Sequence, residues 1–507
     1  MPNLSFGLAD DPRTPMYLRI ERMIEREIAA GNFRIGDKLP PVRDMAQRLS
    51  VNAVTVSRAY RELSVRGVVK GRGRSGTIVA SNNVGTAAPV VARERAPQAA
   101  PLPRAGARDT VSGNKAFQQM LLASQAVHVL QLTRAYPCNV ESVQPRLHAV
   151  LKEVASAKDL EIFDYSSFKG APELRAAICD YLSARGMSTS PEMVLVTSGA
   201  QQGLDIVTRS LLRAGDTVLV EKPTYFGMID LLRTQGARIV QVEMDSEGIN
   251  ADALRSAIKD HSPTLLYTVP TFHNPTGVSM SLRRRTEVLE LCGRSNVAVL
   301  EDDYAPELRF RGQVLPSLWQ LSAEQGSSGT SVYHVRSFSK TYMPGMRLGL
   351  VVQPARRNQV NLINGLSALH TSNLVQLFGL RFFRSGLWEA VENDLIEACT
   401  ERQEVFTRTL RSALAGAASF DVPDGGLNIW LRLPEHVDAS DFFFTAIRNG
   451  VSFFAGELFY ADVPKRNCAR LSFGGLTPDQ LRNAATRLAV ALDEHLNAAE
   501  SRLSQVI

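Results

Sequence analysis

Along the first eighty residues, apolar side chains recur first at helical spacing and then at strand spacing. Leu18, Ile20, Met23, Ile24 and Ile28 predict a helix beginning near Pro15, and Gly31 suits its C-terminal stop. Gly36-Asp37 and Pro40-Pro41 break the chain, after which Val42 to Leu49 predicts a second, short helix. The run NAVTVSRAYRELSVRG predicts a third, capped near Asn52 and closed by Gly67. Val68-Val69 and Thr77-Ile78-Val79 read as two small strands around GRGRSG. Two short helices joined by a tight turn and followed by a basic hairpin predict a winged helix-turn-helix (α+β) over residues 1–80. Periodicity then disappears. Residues 81–125 are rich in Ala, Pro, Gly and Arg, which predicts a flexible linker, with a helix able to begin near 113. From 126 to 507, the runs MVLVTSG, DTVLVE, ARIVQVE, TLLYTV, VAVLED, SVYHV and LGLVV alternate with helical stretches. That alternation predicts an α/β domain on a mostly parallel sheet, whose ligands bind beyond the carboxyl ends of the strands.

Composition changes this picture in one respect. A chain of 507 residues exceeds a single ordinary core, and 44% apolar residues describe a globular protein. The net charge of +6 is unevenly placed: residues 1–80 alone carry +6, residues 81–125 carry +3, and the remainder is slightly acidic. A basic excess confined to the first quarter of the chain suits a nucleic-acid partner for the head and none for the body. Five scattered cysteines, with no CxxC pair, suggest neither a disulfide framework nor a zinc site. No apolar run is long enough for a membrane span, and the N-terminus lacks the pattern of a signal peptide, so a cytoplasmic protein is expected.

Candidate chemistry lies at the ends of strand-like runs. GRGRSG has the spacing of a dinucleotide fingerprint at Gly71, Gly73 and Gly76, but β-branched residues follow where a helix is required, so that reading fails. MVLVTSG runs into a helix through Gly199, Ala200 and Gln201, and exposed N–H groups at such a turn can hold a phosphate. VAVLEDD ends in three carboxylates, which need either a metal or another cation; without a His/Cys cluster, a protonated ring nitrogen is favoured and no metal is expected. In SVYHVRSFSKTYMPGMRLG, Lys340 follows an apolar strand in a Ser-rich turn seven residues before Arg347. A lysine held near other cations has a lowered pKa and becomes an amine fit for Schiff-base chemistry.

The head resembles the winged helix-turn-helix of the GntR regulators through PMYLRI, GDKLPPVRDMAQRL, VTVSRAYRELSVRG and GRGRSGTIVA. That resemblance implies double-stranded DNA as partner, contacted by Arg43, Thr55, Arg58, Arg72 and Arg74. Asn52 takes part of a role often filled by an arginine at the position of Ala53. Over roughly residues 128–490 the body is similar to fold-type I aminotransferases, through YSSFKGAPELRAAICDYL, SGAQQG, KPTYFG, HNPTG, EDDY, SFSK with PGMRLG, and RLSF. This implies a smaller C-terminal α+β subdomain and pyridoxal 5′-phosphate as cofactor, bonded to Lys340. By the same resemblance Asp302 pairs with the pyridine nitrogen, Asn274 and Tyr304 approach the ring hydroxyl, and Tyr225 stacks on the ring. Gly199, Ala200, Gln201, Ser337 and Arg347 hold the phosphate, and Arg470 receives a ligand carboxylate. Tyr165 reaches the phosphate of a partner subunit in a head-to-tail homodimer.

Head, linker and body in this order resemble the MocR subfamily, which implies a transcriptional regulator that senses an amino compound or the cofactor itself. The alternative reading is a working aminotransferase with an attached DNA-binding head, and the presence of Asn274 suits it.

Overall fold

The computed structural model describes residues 16–49, 51, 53–65, 68–71, 77–80, 112–125, 128–137, 140–156, 160–324, 330–355 and 359–504. The chain divides into two compact units, one within residues 1–103 and one within 104–507.

In the first unit, helix α1 (Met16–Ala29) buries Ile20, Met23, Ile24 and Ile28, the stripe that helical spacing predicts. Gly31 follows at φ +77°, a backbone angle that favours glycine and ends the helix. Helix α2 (Val42–Arg48) starts directly after Pro41, and helix α3 (Ala53–Val65) packs Val56, Ala59, Tyr60 and Leu63 into the same small core. The Tyr60 hydroxyl donates to the Pro40 carbonyl at 2.8 Å and fixes α3 to the turn before α2. Strands β1 (Val69–Gly71) and β2 (Thr77–Val79) form the antiparallel wing, with Val69 opposite Val79 and a further bridge from Lys38 to Ile78.

The second unit is built on an eight-stranded sheet. Its order is Val194–Thr197, Gly349–Val352, Val332–Ser337, Ala298–Asp303, Leu265–Thr268, Thr217–Lys222, Arg238–Asp245 and Gly248–Ile249. The strands from Val332–Ser337 through Arg238–Asp245 are mutually parallel; Gly349–Val352 is antiparallel to both neighbours, and Gly248–Ile249 to its one. Strands such as Leu265–Thr268 are buried at every position, which a sheet covered on both faces requires. A smaller α+β part adds the antiparallel strands Asn428–Arg432, Cys468–Ser472 and Phe454–Ala455 beside the long helices Leu387–Leu414 and Pro478–Ser504.

One expectation needs correction. Composition predicts linker across 81–125, yet Ser112–Ser124 forms a helix, α4. Met120 and Ser124 are buried, and Phe117 lies against Phe226 and Phe454 with ring centroids 4.9 and 5.3 Å apart. The polar composition upstream hid an apolar face at i, i+3 and i+4, and docking on the body supplies the burial that a short helix needs. Among the described residues no helix is long and apolar enough to cross a membrane.

Candidate cofactor and ligand site

The carboxyl ends of the central strands open into a cavity of about 440 Å³. Its wall includes Ala200, Gln201, Tyr225, Asn274, Asp302 and Tyr304, and also Ser337, Lys340, Arg347 and Arg470. Residues up to 353 positions apart in the sequence, Phe117 and Arg470, thus line one space.

The turn at Gly199 follows from glycine geometry. Gly199 sits at φ +90° and begins the helix Ala200–Leu211, with no side chain capping its first N–H groups. A Cβ on Gly199 would collide with the Arg347 guanidinium. Gly349 lies behind the same turn, where a Cβ would stand 2.7 Å from the Gly199 carbonyl carbon. Arg347 itself has φ +57°, a left-handed conformation costly for a side chain of this size. Its Nη1 donates to Ser339 Oγ at 2.9 Å, so the guanidinium is held at the bare end of the helix. Free N–H groups and a guanidinium at one helix N-terminus make an anion site. Ser337 is buried, and its Oγ accepts from the Ser339 N–H at 3.1 Å. Gln201 Oε1 accepts from the Tyr225 hydroxyl at 3.1 Å, which fixes Tyr225 along the cavity wall.

Asp302 shows how strand pleat sorts three adjacent carboxylates. Glu301 and Asp303 point to one face. There Glu301 meets His334 Nδ1 at 2.9 Å and the backbone N–H groups of Leu318 and Trp319, and Asp303 meets Arg336 at 3.4 Å. Asp302 points to the other face, into the cavity. Its Oδ2 accepts from the Tyr267 hydroxyl at 2.8 Å, while its Oδ1 is buried without a hydrogen-bond partner. Burial pushes its carboxyl up to about 7, against the opposing pull of the Tyr267 hydrogen bond. An orphaned, buried carboxylate oxygen facing a cavity calls for a cationic N–H. Among the described residues no cluster could hold a metal.

Lys340 is partly buried, with its Nζ 5.9 Å over the Tyr136 ring. Burial, Arg470 and Arg347 bring its ammonium down to about 8. Arg470 lies on the strand Cys468–Ser472; Nη1 donates to Asn274 Oδ1 and Nη2 to the Thr133 carbonyl, both at 3.1 Å. Its Nε is buried without a partner, and no carboxylate among the described residues pairs with it. Desolvation lowers it to about 10, so it stays cationic at neutral pH and lacks an anion. Asn274 spends its oxygen on Arg470, leaving its NH₂ as the donor toward the cavity. The Tyr304 hydroxyl donates to the Phe272 carbonyl at 2.8 Å and accepts from Asn428.

Sequence reasoning missed Tyr267, Ser339, Tyr136 and the apolar side of the cavity, made by Phe117, Phe226 and Phe454. A lone tyrosine in the aliphatic run TLLYTV was the one signal for Tyr267. Tyr165 is exposed, and does not line this cavity in its own subunit. A larger cavity of about 620 Å³ lies on the Asp303 face, but there Arg336 is paired with Glu307 and Asp303, and Arg185 with Glu392.

In the head, α3 presents a half-buried Thr55. Arg43 and Arg58 lie on α2 and α3, but their side chains fall outside the described residues, as do Asn52, Arg72 and Arg74 entirely.

Fold and site together define a fold-type I, aminotransferase-like body carried behind a winged helix-turn-helix. The family model for aminotransferase class I and II matches residues 114–488, and that for bacterial regulatory proteins of the gntR family matches 16–79. The regulator TauR of Rhodobacter capsulatus is 31% identical, covering 97% of this chain and 99% of its own. The probable rhizopine catabolism regulatory protein MocR of Rhizobium meliloti is 28% identical, covering 95% and 94%. Among solved structures, the α-aminoadipate aminotransferase LysN of Thermus thermophilus, complexed with N-(5′-phosphopyridoxyl)-L-leucine, aligns at TM-score 0.69 and 29% identity. That alignment covers 76% of this chain and 95% of the enzyme. The chain belongs to the aminotransferase class I and II family and, with its GntR head, to the MocR-type regulators within it.

Proposed function

We propose that this protein is a DNA-binding transcriptional regulator that holds pyridoxal 5′-phosphate on Lys340 and senses a small amino compound through it. The observation that carries the reading is the cavity in which a depressed lysine, an orphaned aspartate oxygen, a bare helix N-terminus and an unpaired arginine converge. Relatives of nearly full length are named regulators, and the aligned aminotransferase is solved with a phosphopyridoxyl amino acid.

Bound pyridoxal phosphate would supply an electrophilic carbon for amines and an electron-withdrawing ring. Lys340 attaches it, and a pKa near 8 gives this lysine far more free amine at neutral pH than an exposed one has. Asp302 Oδ1, buried without a partner, would accept a ring N–H and hold that proton. Gly199, Ala200 and Gln201 present backbone N–H groups to the phosphate, and Arg347 neutralises it, steadied by Ser339. Arg470 takes the acid group of the amino compound by a bidentate pair. In the head, Arg43 on α2 and Thr55 and Arg58 on α3 contact the operator, joined by Asn52, Arg72 and Arg74.

Two copies act together. Phe163, Tyr165, Leu362, Leu366 and Leu369 form an exposed apolar face, each at least 60% accessible, and that is more than a lone soluble protein ordinarily shows. Asn364 ties this face to the phosphate turn, donating to the Phe168 carbonyl and accepting from Gln202. A head-to-tail pair through this face would bring Tyr165 toward the partner's phosphate.

The test uses genomic DNA fragments captured by the full-length protein loaded with pyridoxal phosphate. Affinity and DNA bending are then measured with and without cofactor and amines. Binding no tighter than to random DNA, or binding indifferent to both small molecules, would overturn the reading, since a ligand shifts an equilibrium only by preferring one state. The complete set of Lys340, Asp302, Asn274 and Arg470 also suits a second reading, a working aminotransferase; sustained turnover of an amino acid with a keto acid would favour it.

A further inference from the structure

The ligand cavity has two unlike sides. One carries Lys340, Asp302, Arg347 and Arg470; the other is apolar and begins immediately beside the acid anchor. The Arg470 guanidinium carbon lies 5.0 Å over the Phe454 ring, Phe454 packs against Phe117 at 5.3 Å, and Phe117 packs against Phe226 at 4.9 Å. Helix α4 supplies the outer part of this wall. Phe117 and Leu121 stand at i and i+4 on one face of that helix, Gln125 follows its last residue, and all three line the cavity. Leu121 remains 37% accessible at the rim, so it has apolar surface left for something to cover.

We propose that the sensed compound is an amino acid with a bulky apolar or aromatic side chain, and that α4 reads that side chain through Phe117 and Leu121. The inference rests on the proposed function and names the chemical class that its site takes. With the amino group at Lys340 and the acid group at Arg470, a side chain that follows the wall leaving Arg470 meets Phe454, then Phe117, then Leu121. A competing polar rim exists: Arg134 donates from Nε to Gln131 Oε1 at 2.7 Å, and both line the cavity. Arg134 is exposed, however, and a pair with an acidic side chain in water adds little, whereas covering aromatic and aliphatic surface adds much more. Helix α4 is also the first described element of the second unit.

The experiment follows the absorption band of the lysine-bound cofactor in the full-length protein during titration with L-phenylalanine, L-leucine, L-alanine and L-glutamate. Phenylalanine or leucine should half-saturate the change at about one tenth of the alanine concentration or less, given the apolar surface covered. Leu121→Ala and Phe117→Leu should each reduce that preference over alanine several-fold, and Leu121→Arg should shift preference toward glutamate. Two variants of different severity keep the test independent of one misfolded helix. Glutamate binding tighter than phenylalanine would overturn the proposal and assign the rim to Arg134. So would an apolar preference unchanged by all three substitutions, or a cofactor band that no amino acid perturbs. A protein with no cofactor band at all would instead refute the proposed function.

Discussion

A buried carboxylate with one oxygen bonded and the other bare costs the folded chain free energy until a cation arrives, and Asp302 is built that way. Its ordinary unfolded pKa lies well below the folded value of about 7. The stability present at low pH is therefore lost as pH rises from the ordinary carboxylate range through about 7. In cofactor-free protein at about pH 8, Asp302→Asn should melt above the parent, with the gap narrowing as pH falls and closing by about pH 4, while its cofactor binding weakens. Thermal melts at both pH values check this, and a variant that melts lower at the higher pH would contradict the buried-charge account. Lys340 has the opposite character. Brought down to about 8 by burial and two arginines, it becomes a free amine as pH rises through that value. The rate at which cofactor-free protein takes up pyridoxal phosphate should climb to about pH 8 and then level; a climb continuing past about pH 10 would mean an ordinary exposed lysine. SFSK and EDD marked both residues in the sequence. Resemblance singled out Asp302, but hydrophobic pattern alone did not show which carboxylate of the three faces the cavity, because that depends on the phase of the strand's pleat and on His334 and Arg336 satisfying the other two.

At the scale of elements, the Gly199 turn is the tightest constraint. The residue needs a positive φ and room for Arg347 against its Cα, and glycine alone offers both. Gly199→Ala should displace Arg347 and weaken pyridoxal phosphate by about tenfold or more, the scale of one lost charge-assisted contact. Equilibrium titration of the cofactor band measures it, and unchanged affinity would remove Arg347 from the phosphate site. The strand runs, the helix-turn-helix and the wing were legible because each is a local repeat with a period of about 2 or 3.6 residues. Helix α4 was legible only as a helix able to begin near 113; its docking was not, because its apolar face has meaning only against Phe226 and Phe454, more than a hundred residues downstream.

At the scale of the molecule, the apolar face around Leu366 needs a cover. If two copies pair through this face as proposed, Leu366→Glu would place a charge in it, and is expected to give monomers in sedimentation at micromolar concentration while leaving the helical circular dichroism intact. A variant that stays dimeric would move the interface elsewhere. By itself the sequence determined a basic winged head, an α/β body, and a lysine with its phosphate turn, since local periodicity and short motifs encode these. Only the tertiary structure decided what surrounds that lysine. Arg470 reaches Asn274 across 196 residues of chain and remains without an anion, Asp302 alone of its neighbours faces the cavity, and α4 closes the apolar side. Each of these depends on which distant strands and helices pack together, and a pattern read over a few neighbouring residues carries no information about that.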